Sequence, residues 1–516
     1  LAVAVLFPTG KTEGNKMSTW ISSIPMDSCF SYPSQIYPPN QDLAIRMFCT
    51  ARQEQDPLVS GREQTDAVLD MATWPSPFPD NTPSSDPREE ELSIVDSFMN
   101  VATAEEAGLG IQEAAAEHAF AIDHPPLRVL LGNVDKGLEL VHLLLACAEA
   151  VGCRDANIAS STLGHVWALS SPYGDPLQRV SYYFALGLKT RLSLLHSVGF
   201  HGSLDSAVVA PTASLWTREE RVEAFHLLHQ NTPYVAFGFM AANEAICQAA
   251  QGRDSLHVVD LGMEHCLQWP SLVRMLATRP GGPPAVLRIT GVGVGANHVE
   301  LEASMDALVR EASVLGVQME FHAMEEAPSP EVLIASKLGL RPGEALFVNS
   351  AMHLHKHVKD SRGSLKAVLI AVRRLSPALL TMVEQDANHN GPFFLSRFVE
   401  SLHYYAAVFD SLEARLPRGS AHRAKVEGRH FGEEIVNLVA YEGPRRVERH
   451  ERADQWRRQL GRAGFQVAAM GSMSQARMLL SVYGCDGYTL ACEKGCLLLG
   501  WRGRPMILAS AWRLPG

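Results

Sequence analysis

Histidines and carboxylates gather at two places in this chain of 516 residues. "HLHKH" sets His353, His355 and His357 at alternate positions, the spacing by which one face of a strand presents imidazoles to a metal. No carboxylate or fourth ligand is evident close by in the sequence, so a solvent-facing loop or helix start is the favoured reading. "EQDANHN" places Glu384, Asp386 and His389 in a loop after an apolar run, where α/β proteins carry catalytic groups. Neither a nucleophile nor a cofactor turn accompanies it. Of the nine cysteines, Cys485, Cys492 and Cys496 are the closest group. They contain no CxxC pair and no histidine at ligand spacing, and they read as reduced thiols rather than a disulfide framework or a zinc site. No HExxH, GxSxG or P-loop motif occurs. No catalytic or metal residue is therefore assigned.

Cofactor chemistry would need a glycine turn, and "LHVVDLGMEHCLQWP" (256–270) is where one belongs: a strand, a turn, then the start of a helix. A methyltransferase-type site makes three demands. Glycines after the first strand let backbone N–H groups face the cofactor. Here only Gly262 is present, followed by Met263, Glu264 and His265, whose side chains would occupy the nucleotide's space. An acid ending the second strand would hold a ribose, yet "LRITGVGVGAN" has none. A polar catalytic group after the fourth strand is represented only by Asn349 and Ser350. "GVGVGA" (291–296) matches G-x-G-x-x-A but follows the second strand without a following acid in context, and it reads as a flexible loop. No cofactor is expected. The competing reading is a small-molecule-binding or methyltransferase-like enzyme with an atypical pocket beside Gly262.

Behind these residues lies an alternation of strands and helices. Strands are predicted at Leu256–Asp260, Ala285–Val292, Val317–Met324, Ala345–Met352 and Ala378–Gln385, separated by helical stretches as parallel βαβ units require. "PFFLSRFVESLHYYAAVFDSLEARL" lines Phe394, Phe398, Leu402, Tyr405, Phe409 and Leu412 along one side of a helix. The C-terminus, "GYTLACEKGCLLLGWRGRPMILASAWRL", reads as three short strands with turns at Glu493–Gly495 and Arg502–Pro505, an antiparallel meander closing the sheet edge. The fold class is α/β: a Rossmann-like, methyltransferase-type, mostly parallel sheet with an antiparallel C-terminal edge and an N-terminal helical cap. "EGPRRVERHERADQWRRQLGRAGF" (442–465) mixes Arg445, Arg446, Arg449, Arg452, Arg457 and Arg458 with acids and reads as a solvated helix with internal ion pairs.

The cap occupies residues 131–245, before a core spanning 246–516. "LELVHLLLACAEAV" puts Leu140, Leu143, Leu144, Cys147, Ala148 and Val151 on one face. The same residues spell Leu-x-x-Leu-Leu, a pattern that docks in hydrophobic grooves, which makes Leu140, Leu143 and Leu144 candidate partner contacts. A helix burying its own core face gives that spacing as readily, and core packing is the stronger reading. "GDP" starts the next helix, with Asp175 as N-cap and Pro176 in the first turn.

Residues 1–130 are different. Eleven of the 30 prolines fall in the first hundred positions, and no period persists there, so the region reads as largely disordered. "REEELSIVDSFMNV" (88–101) is the one stretch with the mixture of acids and hydrophobes that folds onto partners. The chain opens "LAVAVLFPTG" with no basic n-region, and Met17 is a candidate start. No run reaches the ~20 apolar residues of a membrane span. With a net charge of −11 there is no global footprint for nucleic acid, and a soluble intracellular protein is expected.

Together these stretches resemble the plant GRAS family of transcriptional regulators. "LHVVD", with Val258, Val259 and Asp260, resembles its VHIID motif, and "LELVHLLLACAEAV" resembles the start of its first leucine-rich region. "LFVNSAMHLHKH" and "VEQDANHNGPFFLSRFVESLHYYAAVFDSLEA" resemble its PFYRE region. "RVERHERADQW" (Arg446, Val447, Glu448, Arg449, Trp456) and "LLLGWRGRPMILASAWRL" (Trp501, Ser510, Ala511, Trp512) resemble its RVER and SAW motifs. The likeness covers about 133–516, and its wording is nearest the DELLA-related and scarecrow-like branches, although neither a DELLA-type nor a TVHYNP-type stretch precedes it. The resemblance implies a nuclear, non-enzymatic regulator that binds DNA-binding transcription factors and other GRAS proteins, in homo- or heterodimers, with direct DNA contact in some members. It implies no membrane role, and it gives the motif residues a structural part.

Overall fold

Side-chain caps start three of the helices in the first half of the chain. The computed structural model describes residues 127–198, 216–295, 298–359 and 363–515, with side chains from 136 onward. The proline-rich N-terminal region and its 88–101 stretch lie outside these residues. Five helices come first: α1 (Leu127–Gly152), α2 (Ala156–Leu169), α3 (Pro176–Val198), α4 (Arg218–Asn231) and α5 (Pro233–Ala249). Asp155 accepts from the N–H groups of Asn157 and Ile158 to start α2. Asp175 accepts from Gln178 N–H at 2.9 Å with Pro176 opening α3, as its sequence predicts. Thr217 and Glu220 form a capping box at α4.

The remaining elements alternate: β1 (Ser255–Leu261), α6 (Trp269–Ala277), β2 (Val286–Val292), α7 (Val299–Val314), β3 (Met319–Met324), β4 (Ala345–Ala351), α8 (Gly363–Arg374) and β5 (Leu379–Gln385). Then come α9 (Phe394–Arg415), α10 (Ala421–Val426), α11 (Gly432–Ala440), α12 (Ala453–Arg462), β6 (Gln466–Ala468), α13 (Met473–Tyr483), β7 (Tyr488–Glu493), β8 (Cys496–Trp501) and β9 (Arg504–Arg513). All five predicted parallel strands are present, as are the three of the C-terminal meander.

The strands form one nine-stranded sheet in the order β3-β2-β1-β4-β5-β9-β8-β7, with β6 paired to the end of β9. From β3 to β5 the pairing is parallel, and β9 is antiparallel to both β5 and β8. This is the Rossmann-like arrangement with an antiparallel edge. Because alternate residues face opposite sides, Val258 enters the core shared with the helical cap, while Val259 enters a second core with α8 and α12. Trp269 and Trp501 fill the first core; Trp456 and Trp512 fill the second. Among the described residues, no helix is long and apolar enough to cross a membrane.

The leucine stripe takes the stronger of its two sequence readings, and the arginine-rich stretch departs from its own. Leu140 and Leu144 are buried in the protein's own core, and Leu143 is half-buried against it. Core packing accounts for Leu140 and Leu144 of the Leu-x-x-Leu-Leu stripe, with Leu143 at its margin. The arginine-rich stretch is not one solvated helix, because only Ala453–Arg462 within it is α-helical. Arg446 and Arg449 are buried, donating to the carbonyls of His389 and Gly443 respectively. Guanidinium forks satisfy turn carbonyls there, so the charges run inward.

Candidate functional site

The carboxyl ends of β1, β4 and β5 meet where open α/β sheets bind their ligands. At the end of β1, Gly262 has φ +79°, and a Cβ there would lie 1.9 Å from Nδ1 of His353. The turn glycine is required, but by an imidazole of the chain itself. Met263 is buried, its Sδ 2.8 Å from the position of a Cβ added at Gly291 in β2. His265 stacks on Phe225 of α4 at 4.5 Å between ring centroids, and burial takes its pKa down to about 3. Met263 and His265 are thus both packed against neighbouring elements. Glu264 is the exception, turned outward to Lys356 at 3.5 Å.

Asp260 at the end of β1 is buried, and Nδ2 of Asn349 in β4 donates to its Oδ1 at 2.7 Å. Burial pushes its pKa up to about 7, the Asn349 hydrogen bond opposing the shift only in part. Asn349 is tied in turn to Gln268 and to Thr381 of β5. Asp260, Asn349, Gln268 and Thr381 are thus hydrogen-bonded among themselves, and β2 carries no acid.

A second constellation lies beside the ends of β4 and β5. "HLHKH" forms a turn of 3-10 helix, Leu354–His357, and His355 points inward instead of to solvent. Both oxygens of Glu384 engage it, Oε1 accepting from the backbone N–H at 3.1 Å and Oε2 meeting Nδ1 at 2.7 Å. Its Nε2 lies 3.1 Å from Oε2 of Glu448, which is also 3.3 Å from Nε2 of His450. Burial opposes charge on His355, but Glu384 and Glu448 outweigh it and push its pKa up to about 10. Glu448 is held well below the usual carboxylate range by His355 and His450, against the effect of its own burial.

His389 completes the cluster. It is fully buried, stacked on Tyr405 at 5.6 Å and 5.4 Å from His450 between centroids. Burial and the neighbouring His450 hold it neutral. Asn437 of α11 positions the Glu448 segment, its Oδ1 accepting from the N–H groups of Val447 and Glu448. Asp386 accepts from Ala453 N–H at the start of α12. Of the loop residues marked in sequence, Glu384 and His389 enter the cluster, while Asp386 serves this helix end. His450 and Glu434 carried no sequence signal of their own. Glu434, reached by Tyr405 Oη at 2.9 Å and by Gln385, is recognisable only after the chain has folded.

Residues 140–513 match the model of the GRAS domain family. The chain belongs to the GRAS domain family. It is 44% identical to the GRAS family protein RAD1 of Lotus japonicus, over 73% of this chain and 74% of that one. It is 33% identical to DELLA protein 1 of Medicago truncatula, over 97% of this chain and 84% of that protein. The solved structure of SCL7 from Oryza sativa superposes with a TM-score of 0.64 at 31% identity, covering 72% of this chain and 99% of that one. In this GRAS protein most of the motif residues are core residues: Val258, Val259, Arg446, Arg449, Trp456, Trp501, Ser510, Ala511 and Trp512 are all buried. Trp501 donates to Asp410 and Trp512 to Ser510. Val447 is half-buried, and Glu448 is the motif residue that enters the histidine cluster.

Proposed function

We propose that this GRAS protein is a non-enzymatic transcriptional regulator of the nucleus, acting through contacts with DNA-binding transcription factors and other GRAS proteins. The supporting observation is the crevice at the end of β1. His353 stands 1.9 Å from a Cβ at Gly262, Met263 closes on β2, and Asp260 is engaged by Asn349. A dinucleotide or S-adenosylmethionine needs that glycine turn for its backbone approach and that acid or its neighbour for hydrogen bonds. With both taken by the protein's own side chains, the scaffold's remaining asset is its surface. Membership of a family whose relatives include DELLA proteins supports the same reading.

Two measurements test it. Isothermal titration with S-adenosylmethionine and its demethylated product should give no saturable heat. Tethering the chain to a heterologous DNA-binding domain should change transcription of a reporter, with the fluorescently tagged protein in the nucleus. Saturable micromolar binding that Asp260→Ala abolishes, with methyl transfer to any acceptor, would overturn the proposal and restore the enzyme.

A further inference from the structure

The cluster behind β4 and β5 has the donor set of a metal centre. His355, Glu448 and His450 each bring one ligand atom, and the three atoms all lie within 4.8 Å of one another. Two of the separations are more telling. Oε2 of Glu448 is 3.1 Å from Nε2 of His355 and 3.3 Å from Nε2 of His450. Zinc bonds to nitrogen and carboxylate oxygen of about 2.0–2.1 Å in a tetrahedron separate neighbouring ligands by about 3.3–3.4 Å. Neither nitrogen is aligned for a hydrogen bond to that oxygen. Three ligand atoms this close can share one cation in place of the His355 proton that now faces Glu448.

The surroundings fit as well. Oε2 of Glu384 holds Nδ1 of His355 at 2.7 Å, which fixes the ring and directs Nε2 towards Glu448. A carboxylate behind a ligating imidazole is the usual support of a zinc-bound histidine. His389 is the independent sign. It is 0% exposed, neither of its ring nitrogens has a hydrogen-bond partner, and its centroid is 5.4 Å from that of His450. A buried imidazole left without partners is costly, and a fourth ligand position would satisfy it. The nearby ammonium of Lys356 is drawn off by Glu264 at 3.5 Å. Glu448 keeps 13% of its side chain exposed, which gives an ion a way in.

We propose that His355, Glu448 and His450 bind one zinc ion, with Glu384 orienting His355 and with His389 or water as the fourth ligand. Two imidazoles with one carboxylate favour zinc over calcium or magnesium, which prefer all-oxygen sites. The ion fastens the turn after β4 to the segment joining α11 and α12.

The test uses the full chain, purified without chelator, stripped by dialysis and titrated with Co2+ as a spectroscopic probe. One equivalent should produce the intense visible absorption of tetrahedral cobalt, and Zn2+ should displace it. His450→Ala and Glu448→Gln should each abolish the spectrum. Glu384→Gln should weaken affinity about 10–100-fold, the usual effect of losing a supporting carboxylate. His322→Ala, an exposed histidine on β3, should change nothing. The wild-type titration is decisive even if a variant fails to fold. Absence of a tetrahedral spectrum at micromolar protein, or a spectrum that survives both His450→Ala and Glu448→Gln, overturns the site.

Discussion

Asp260 is a carboxyl group kept close to neutrality by its surroundings, and its protonation is coupled to folding. Its pKa rises from 3.8 to about 7 on burial, so the folded protein holds a proton that the unfolded chain releases. The stabilisation is complete below about pH 4 and is lost as pH climbs through about 7. At about 1.4 kcal/mol per unit, the cost of ionising this side chain at pH 8 reaches about 4 kcal/mol. Asp260→Asn preserves the bond from Asn349 and removes the titration. Urea unfolding at a series of pH values should find the variant more stable than the parent at pH 8, with the two converging towards pH 4. Gly262 offers a second residue-scale test. Its φ of +79° costs a side chain about 1–3 kcal/mol, and the contact with His353 adds steric strain. Gly262→Ala should destabilise the chain, and adding His353→Ala should recover the steric part alone. Full recovery in the double variant would show that backbone conformation contributes nothing.

At the scale of elements, what was legible followed from length and period. The buried parallel strands are short apolar runs bounded by turn residues, and every one lies within two residues of its expected limits. The meander was equally readable because glycines mark both of its turns. β6 was not, since three residues at the end of β9 carry no period. The arginine stretch misled for a different reason: alternating charges have the same spacing whether they pair along a helix or reach inward to turn carbonyls. The histidine cluster was half visible. "HLHKH" and "EQDANHN" stood out, but His355 and Glu384 are 29 positions apart, and Glu448 joins them only through the fold. On α1 the core reading makes a direct prediction. Leu144→Ala should cost about 2–5 kcal/mol, as deletion of a fully buried leucine does, and should destabilise the cap with or without any partner present. If the variant instead retains its unfolding midpoint and loses only binding, the stripe is a docking face after all.

Across the whole molecule, the cap and the sheet read as a single folding unit. Arg179 of α3 is fully buried and engages Glu427 through Nε at 2.9 Å and Nη2 at 3.0 Å, joining residues 248 positions apart. Phe184 of α3 packs edge-on against Phe398 of α9 at 5.2 Å, and Gly187 lets α3 approach so closely that a Cβ would sit 2.8 Å from Val439 of α11. Loss of α1 to α3 would remove Arg179, the bidentate partner of Glu427, leaving it Arg423 alone at 3.5 Å, and would strip the covering from Phe398, Tyr405 and Phe409. Removing one partner of a buried ion pair costs up to about 3–5 kcal/mol, and each exposed aromatic adds to that, against a typical total stability of about 5–15 kcal/mol. A chain beginning at residue 216 should therefore fail to give a folded α/β core. The intact protein should unfold in one step, with helical and tryptophan signals following the same transition. Two separated transitions, or a soluble 216–516 fragment with dispersed amide resonances, would make the cap an appendage. The buried charge pair would then have to be satisfied from within the core.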